Sequence, residues 1–214
     1  MGHPAVDPRR YTVAEYFQID RDAVEKHEYR DGQIVAMAGG TPAHSLIIAN
    51  VTGEVRARLK GTSCRSYDSN LRVKIPRDAR YVYPDASVVC GPVEYDPADK
   101  TRQTATNPRV VVEVLSPSTE AYDRGDKFRR YLRIPTLQEY VLVSQVVPVV
   151  ETYARQVDGS WVFRAYEGLD AVARLSSVDV ELPLAEVFAG VEFPAAEPEP
   201  VPNLAGGTGG SPAT

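Results

Sequence analysis

Two acidic residues lie in stretches of sequence that otherwise predict buried β-strands. Asp85 follows Pro84 in "YVYPDASVVC", and Glu113 is at the centre of "RVVVEVLS". An ionised carboxylate that is buried without a partner is costly, so each residue needs a counter-charge, a proton or a metal ion. If the two strands are neighbours, both carboxylates converge at one end of a sheet, where hard oxygen ligands suit Mg²⁺.

Each carboxylate also has a simpler explanation. Glu113 could pair with one of the chain's arginines, and Asp85 could close a turn after Pro84. For a single carboxylate in a strand, this ordinary role is the better interpretation. The presence of two such residues, one of them in a Pro-Asp pair, favours the metal site instead.

The elements around these residues alternate between helices and strands. Thr12 and Thr41 are in position to cap two helices, and Asp31-Gly32 predicts a hairpin. A further helix is expected over residues 123–133. Strands are expected in "CRSYDSNLRVKI", "YVYPDASVVC", "PRVVVEVLS", "QEYVLVSQVVPVVETYAR" and "WVFRAYEG". The order helix, three strands, helix, strand predicts a mixed α/β core, with the hairpin and the last strands as additions.

The composition is that of a soluble globular protein with one ordinary domain, since 43% of the 214 residues are hydrophobic and 25% are charged. No stretch approaches the ~20 apolar residues of a membrane span, and no apolar signal core begins the chain, so we expect a cytoplasmic protein. We place the domain at residues 1–193 and expect a disordered Pro- and Gly-rich tail at 194–214. Cys64 and Cys90 have neither the number nor the spacing of a disulfide framework, so we expect free buried thiols.

The net charge of -5 argues against a protein that coats nucleic acid without specificity. The charge is uneven, however, because residues 56–80 hold eight Lys and Arg residues against two Asp residues. Such a segment could contact phosphates, and it could equally be a set of solvated basic positions. The candidates for phosphate contacts are Arg56, Arg58, Lys60, Arg72 and Lys74.

The acidic stretches resemble the PD-(D/E)XK nuclease superfamily, whose motif is Pro-Asp, a spacer, then an acid, any residue and Lys. Four longer segments resemble its Uma-type restriction endonuclease family: "HEYRDGQIVAMAGGTPAH", "YPDASVVCG", "NPRVVVEVLSPSTEAYDRGDKFRRY" and "LQEYVLVSQ". The resemblance covers residues 11–188. It implies a restriction-endonuclease-like mixed central sheet flanked by helices, with an added N-terminal hairpin and C-terminal strands. It also implies a Mg²⁺-dependent endonuclease that hydrolyses phosphodiester bonds in DNA, with Asp85 and Glu113 as metal ligands and Mn²⁺ as an alternative ion.

One position departs from the superfamily motif. Two residues after Glu113, where the motif has Lys, this chain has Leu115, which shares a strand face with Glu113 and cannot do the chemistry of a lysine. The Uma-type pattern has a Lys at the position of Lys127 on the next helix, so the resemblance implies that Lys127 takes the catalytic role. The residues alone leave open an exposed helix lysine that is offset by Asp123.

Three further residues are accessory candidates. Glu28 matches an acidic residue of the family and could complete the metal site, or it could pair with a basic residue across a strand. His44 matches a family histidine and faces inward, for either substrate contact or a structural hydrogen bond. Asp123 could orient Lys127, although a helix cap is the favoured role. Tyr131 is assigned to the core.

Two other functions remain open from the sequence. The chain could be a catalytically silent module of the nuclease fold that binds nucleic acid or protein, an idea that the displaced lysine supports. It could also be a metal-dependent hydrolase of a small phosphodiester. We expect nucleic acid as the partner, DNA before RNA, and no membrane. Cleavage of both strands of a duplex would need two sites, so the resemblance is compatible with a homodimer.

Overall fold

The computed structural model describes residues 9–37, 39–76 and 79–194. The predicted tail lies outside these residues from position 195 onward, so the domain boundary stays a prediction. The helical elements are α1 (Val13–Asp22), α2 (Pro42–Arg58), α3 (Glu120–Tyr122), α4 (Phe128–Tyr131) and α5 (Leu184–Val187), with a π-helical segment at Asp123–Lys127. Within the described part of the chain, no helix is long and apolar enough to span a membrane.

The strands form a central sheet, a side sheet and a small hairpin. They are β1 (His27–Arg30), β2 (Gln33–Ala36), β3 (Cys64–Asp68), β4 (Arg72–Ile75), β5 (Arg80–Val82), β6 (Ala86–Cys90), β7 (Thr104–Ala105), β8 (Val110–Leu115), β9 (Glu139–Ser144), β10 (Val149–Arg155), β11 (Trp161–Glu167), β12 (Val172–Leu175) and β13 (Val180–Pro183). The central sheet has the order β11-β10-β9-β8-β6-β3, and only its β8-β9 pair is parallel. This mixed α/β architecture confirms the predicted fold class.

Two helices begin where the sequence predicts. The Thr12 side chain accepts a hydrogen bond from the backbone N–H of Glu15, and the Glu15 carboxylate accepts one from the N–H of Thr12, which completes a capping box at α1. The Thr41 hydroxyl accepts from the N–H of His44, and Pro42 fits the first turn of α2. These caps fix where α2 begins, and therefore where His44 lies.

The N-terminal hairpin belongs to a sheet that the sequence did not reveal. Asp31 and Gly32 have φ values of 52° and 95°, the left-handed geometry of a tight hairpin turn. Strand β1 then pairs with β5, which extends the hairpin into a side sheet of order β2-β1-β5-β4-β7. The hairpin is therefore part of a second layer rather than an isolated addition.

Residues 81–90 cross from the side sheet to the central sheet. Strand β5 ends at Val82 and β6 begins at Ala86, so Pro84 and Asp85 lie in the connection. Proline has no N–H for a strand ladder, which makes Pro84 suited to the break. Because β6 starts only at Ala86, it pairs with β8 no further along than Val112, which leaves the following residues of β8 beyond its reach.

Strand β8 is buried on both faces, as its apolar sequence predicts. One face packs into a cluster with α2 that includes Val110, Val112, Val114, Ile47, Val51 and Val55. The other face packs into a cluster that includes Val111, Leu115, Tyr131, Leu137, Tyr140 and Leu142. Since side chains alternate along a strand, Glu113 lies on the face of the second cluster.

The prediction of free thiols is wrong. Cys64 and Cys90 lie opposite each other in the antiparallel register of β3 and β6, and they form a disulfide. Both residues are only partly buried. Their pairing depends on the register of two strands that are distant in sequence, and the spacing of two cysteines does not contain that register.

Candidate active site

The site lies where the pairing between β6 and β8 ends. Beyond that point, side chains rather than β6 contact the backbone N–H and carbonyl of Val114. The Asp85 carboxylate accepts a hydrogen bond from the N–H of Val114 at 2.7 Å. The Nε2 atom of His44 lies 3.1 Å from the carbonyl oxygen of Val114 and 3.5 Å from Oδ2 of Asp85. The crossing at Pro84 thus brings a carboxylate, an imidazole and a backbone carbonyl together.

Glu113 is held from the opposite side by residues of the following helical segment. Its Oε1 atom lies 2.7 Å from Nζ of Lys127 and accepts a hydrogen bond of 2.8 Å from the hydroxyl of Tyr131. Nζ of Lys127 is also 3.2 Å from Oδ1 of Asp123. Both of these contacts to Glu113 use the same oxygen, Oε1.

A widened stretch of helix carries two of these residues. The backbone forms a π-helix at Asp123–Lys127, flanked by α3 and α4, where the sequence predicts one continuous helix. Asp123 and Lys127, the first and last residues of this segment, are both buried and contact each other. Single π-helical turns of this kind occur frequently at functional sites.

Several carboxylates share this small volume, and their charges shift two pKa values. Burial raises the pKa of Glu113 to about 8, because the lowering effect of Lys127 is offset by Asp85 and Asp123. Burial opposes the charged form of Lys127, yet Glu113, Glu28 and Asp123 outweigh it and raise the pKa of Lys127 well above its usual value. Burial is therefore the main cause of the raised pKa of Glu113, and the neighbouring carboxylates are the cause of the raised pKa of Lys127.

The open side of the site lies at His44 and Asp85. Their side chains are 17% and 14% exposed, whereas those of Lys127 and Glu113 are 9% and 4% exposed. A hydrogen bond to Asp85 raises the pKa of His44 above its usual value.

Glu28 is buried near the site, and its carboxylate accepts hydrogen bonds from groups outside the site. Its Oε2 atom accepts hydrogen bonds from Arg30, and its Oε1 atom lies 3.4 Å from the N–H of Tyr83. It acts on Lys127 through its charge rather than through a direct contact. Of the two roles considered for Glu28, pairing with a basic residue is the one in place, although Arg30 lies on the same strand.

The oxygen donors fit a hard divalent cation. Within residues 9–37, 39–76 and 79–194, no group of three or more His, Cys, Asp and Glu side chains is arranged to hold a metal ion. The donors near the crossing are instead two carboxylates, Asp85 and Glu113, and the carbonyl oxygen of Val114. Mg²⁺ typically uses one or two carboxylates with water and substrate oxygens, so this small donor set suffices.

A family model named Uma2, with the description "Putative restriction endonuclease", matches residues 13–186. That span contains every residue placed at the site above. The chain belongs to the Uma2 family.

Two proteins of Synechocystis sp. are similar to this Uma2 chain. Uncharacterized protein slr1290 is 41% identical over 191 residues, which cover 89% of this chain and 97% of that protein. Uncharacterized protein sll1609 is 31% identical over 169 residues, which cover 79% and 94%. A crystal structure described as a "putative nuclease belonging to DUF820" from Anabaena variabilis matches with a TM-score of 0.67 at 18% identity, over 83% of this chain and 97% of its own. The fold is restriction-endonuclease-like, as predicted.

In this Uma2 protein, Leu115 stands at the position of the motif lysine and is part of the hydrophobic core. Leu115 is 4% exposed and packs in the same apolar cluster as Tyr131. The ammonium of Lys127 contacts Glu113 from the helical side instead. The structure thus brings together Asp85, Glu113, Lys127, His44 and Asp123 near the connection between β5 and β6. Glu28 is buried nearby.

The basic set from residues 56–80 does not form one surface. Arg72 is 3% exposed and pairs with Asp20 and Asp99, so its guanidinium is not accessible to a phosphate. Lys74 is partly exposed and pairs with Asp96. The prediction that Arg72 contacts phosphates is therefore wrong. For Lys74, a phosphate would have to compete with the carboxylate of Asp96. The other three candidates, near the end of α2, are exposed: Arg56, Arg58 and Lys60.

Sequence reasoning missed the role of Tyr131 at the site. Its side chain is fully buried, as expected of a core residue, yet its hydroxyl donates to Glu113. The sequence spacing indicates that Tyr131 lies near Lys127, because it follows Lys127 by four positions and so lies on the same helix face. A buried tyrosine hydroxyl usually needs a partner, and here the partner is the carboxylate.

Proposed function

We propose that this Uma2 protein is a divalent-metal-dependent endonuclease that hydrolyses phosphodiester bonds in DNA. The observation that carries the proposal is the convergence of Asp85, Glu113 and Lys127 at the β6-β8 separation. The family description, "Putative restriction endonuclease", and the likeness in fold to a protein described as a putative nuclease support the same conclusion. Fold alone would not suffice, because function depends on the site.

Asp85 and Glu113 would hold Mg²⁺ through carboxylate oxygens, together with the carbonyl oxygen of Val114. When bound, such an ion supplies Lewis-acid stabilisation of phosphate oxygens and a water of lowered pKa. Its positive charge also suits a site in which carboxylates are in excess. The Tyr131 hydroxyl donates to Oε1 of Glu113, and we assign metal binding to Oε2.

Lys127 provides the fixed positive charge of the site. Its ammonium has three donors, and its contacts with Glu113 and Asp123 use two of them. We assign to the third the role of holding a non-bridging phosphate oxygen or of orienting an attacking water. Asp123 and Tyr131 act as positioning residues, because one anchors the ammonium and the other anchors the Glu113 carboxylate. A charge held in place before the reaction stabilises the transition state without reorganisation.

Cleavage of supercoiled plasmid and of labelled DNA and RNA oligonucleotides, with Mg²⁺, Mn²⁺ or a chelator, tests the proposal. The account expects metal-dependent cleavage of DNA that is lost in Asp85→Asn and Glu113→Gln, with circular dichroism confirming that both variants fold. Glu186→Gln, an exposed change in α5, serves as the matched control. Cleavage that survives both the chelator and Asp85→Asn would remove the proposal.

The same assays separate the other two functions. A protein that binds metal and DNA but cleaves neither DNA nor RNA would be a silent module of the nuclease fold. Turnover of a mononucleotide ester without any oligonucleotide cleavage would indicate a hydrolase of small phosphodiesters. Either result would replace the endonuclease proposal.

A further inference from the structure

Arg30, at the end of β1, places a second positive charge beside the site. Its Nε and Nη2 atoms donate to Oε2 of Glu28, at 2.9 Å and 2.5 Å. The Glu28 side chain is 4% exposed and the Arg30 side chain is 29% exposed, so this ion pair exposes its cation to solvent rather than its anion. The Lys127 side chain is only 9% exposed. Arg30 is therefore the more accessible of the two cations.

The fold directs Arg30 toward the helical residues of the site. Side chains alternate along a strand, so Glu28 and Arg30 share one face of the side sheet, whereas Tyr29 packs against α1 on the other face. The guanidinium of Arg30 lies 4.4 Å from the centre of the Tyr122 ring, and Tyr122 directly precedes Asp123. Burial opposes the charged form of Arg30, yet the charges of Glu28 and Asp123 raise its pKa above the usual value. Arg30 is thus within electrostatic reach of the site.

Neighbouring groups fix the orientation of this guanidinium. The Tyr122 hydroxyl accepts a hydrogen bond of 3.3 Å from Nη1 of Arg80, which holds the ring that Arg30 contacts. Oε1 of Glu28 lies 3.4 Å from the N–H of Tyr83, so the carboxylate is anchored as well. Glu28 binds the edge of the guanidinium that carries Nε and Nη2, and the N–H groups of the opposite edge point away from Glu28. A planar fork that is already held in place loses little freedom when it binds an anion.

We propose that Arg30 is a phosphate-binding residue, which holds a phosphate of the DNA strand that flanks the scissile phosphate. Arginine binds phosphate oxygens through paired N–H groups, and the edge that carries Nη1 supplies such a pair. The inference rests on the proposed function, since it takes a nucleic acid strand as the ligand. It goes further by naming a contact that positions the strand without taking part in bond cleavage.

Lys74 shows that exposure alone does not define this contact. Its side chain is 30% exposed and its ammonium lies 2.8 Å from Oδ1 of Asp96, so it is paired much as Arg30 is. Lys74 lies opposite Tyr81 in the side sheet, and therefore on the face that packs against α1. Its ammonium is also a compact charge without a second edge. Arg30 differs from Lys74 both in its face of the sheet and in its geometry.

Binding of fluorescent DNA and RNA oligonucleotides, with Mg²⁺ and with a chelator, tests the inference. All variants are made in the Glu113→Gln protein, so that cleavage does not interfere. The binding constant is measured over a range of salt concentrations, because its salt dependence reports the number of phosphate contacts. Arg30→Gln should weaken binding about tenfold and reduce the logarithmic salt slope by about one. Arg30→Lys should retain the slope, whereas Arg174→Gln, which removes an exposed arginine near Asp179, should change neither quantity.

Glu28→Gln is the matched variant, because it breaks the same ion pair and keeps the cation. If Arg30 only neutralises Glu28, both changes should lower the melting temperature and leave the salt slope unchanged. If Arg30 binds a phosphate, only Arg30→Gln should reduce the slope. Thermal unfolding checks that each variant folds.

The outcomes separate this inference from the proposed function. A slope that falls only in Arg30→Gln supports the phosphate contact. An unchanged slope in Arg30→Gln overturns the contact and leaves the nuclease proposal standing, since that proposal depends on Asp85 and Glu113. Binding that depends on Arg30, in a protein whose wild-type form cleaves no nucleic acid, supports the contact and overturns the nuclease proposal. A protein that binds neither DNA nor RNA overturns both.

Discussion

Lys127 and Glu113 are in direct contact inside the protein, with Nζ 2.7 Å from Oε1 and side chains that are 9% and 4% exposed. Their elements differ, since Glu113 lies in the middle of β8 and Lys127 ends the π-helical segment. The pair therefore fastens this segment to the central sheet. It also places the Lys127 ammonium beside the Glu113 carboxylate, although the strand position at which the superfamily motif has a lysine is Leu115 in this chain.

Removing the ammonium should destabilise the protein in a pH-dependent way. Lys127→Met leaves buried carboxylates without their counter-charge, which costs about 3–5 kcal/mol. The loss should be larger at pH 9 than at pH 6, because Glu113 can take up a proton at the lower pH. Urea denaturation at the two pH values measures the loss. Arg129→Met, an exposed change two positions away, should cost about 0.5 kcal/mol or less, and an equal cost for both variants would contradict the buried pair.

The raised pKa of Glu113 predicts how metal-free stability depends on pH. The folded protein retains on Glu113 a proton that the unfolded chain releases near the ordinary value of 4.5. This contribution is therefore complete below that value and is lost as pH rises through about 8. The free energy of unfolding should fall by about 1.4 kcal/mol per pH unit within this window. Glu113→Gln should flatten the slope, whereas the exposed change Glu186→Gln should leave it unchanged.

The hydroxyl of Tyr131 should matter for cleavage as well as for stability. Tyr131→Phe removes the donor to Glu113 and should cost about 1 kcal/mol. Tyr29→Phe removes a partly buried bond, in which the Tyr29 hydroxyl donates to the carbonyl of Tyr11 at 2.7 Å, far along the chain from β8. Both variants should lose similar stability in urea. Only Tyr131→Phe should slow single-turnover cleavage, by about tenfold, and equal rates for the two variants would assign Tyr131 to the core alone.

The disulfide between Cys64 and Cys90 should stabilise the protein by an amount that rises with the logarithm of the length of the loop that it closes. With a sequence separation of 26, the chain-entropy model predicts about 3.5 kcal/mol. Reduction by dithiothreitol should lower the free energy of unfolding by about that amount. A double variant, Cys64→Ser with Cys90→Ser, should have the lower stability from the start and should not respond to the reductant. A wild-type protein that is equally insensitive would show that the bond does not form in solution.

Features that depend on neighbouring residues could be predicted from the sequence. The caps at Thr12 and Thr41 and the turn at Asp31-Gly32 need only local geometry, and each is present. The burial of β8 on both faces also follows from its own unbroken apolar pattern. Such features place the ends of α2 and of the hairpin, and they leave open how distant strands pair.

Features that depend on pairing between distant strands could not be predicted from the sequence. The side sheet includes the hairpin because β1 pairs with β5 across about fifty residues. The sequence makes Arg72 a candidate for phosphate contacts, whereas in the fold Asp20 and Asp99, which are distant in sequence, pair with it. A short basic segment has no pattern that distinguishes a solvated arginine from one that is paired within a fold.

The catalytic role of Lys127 is decided by the rate of metal-dependent DNA cleavage in Lys127→Met, compared with the wild-type protein and Arg129→Met. The measurement uses saturating DNA and metal at a pH where circular dichroism shows that all three proteins are folded. The account predicts that Lys127→Met is slower by at least about 100-fold, the cost of losing one fixed transition-state donor, and that Arg129→Met matches the wild type. Equal rates for Lys127→Met and the wild type would contradict the claim that Lys127 replaces the lysine absent at Leu115.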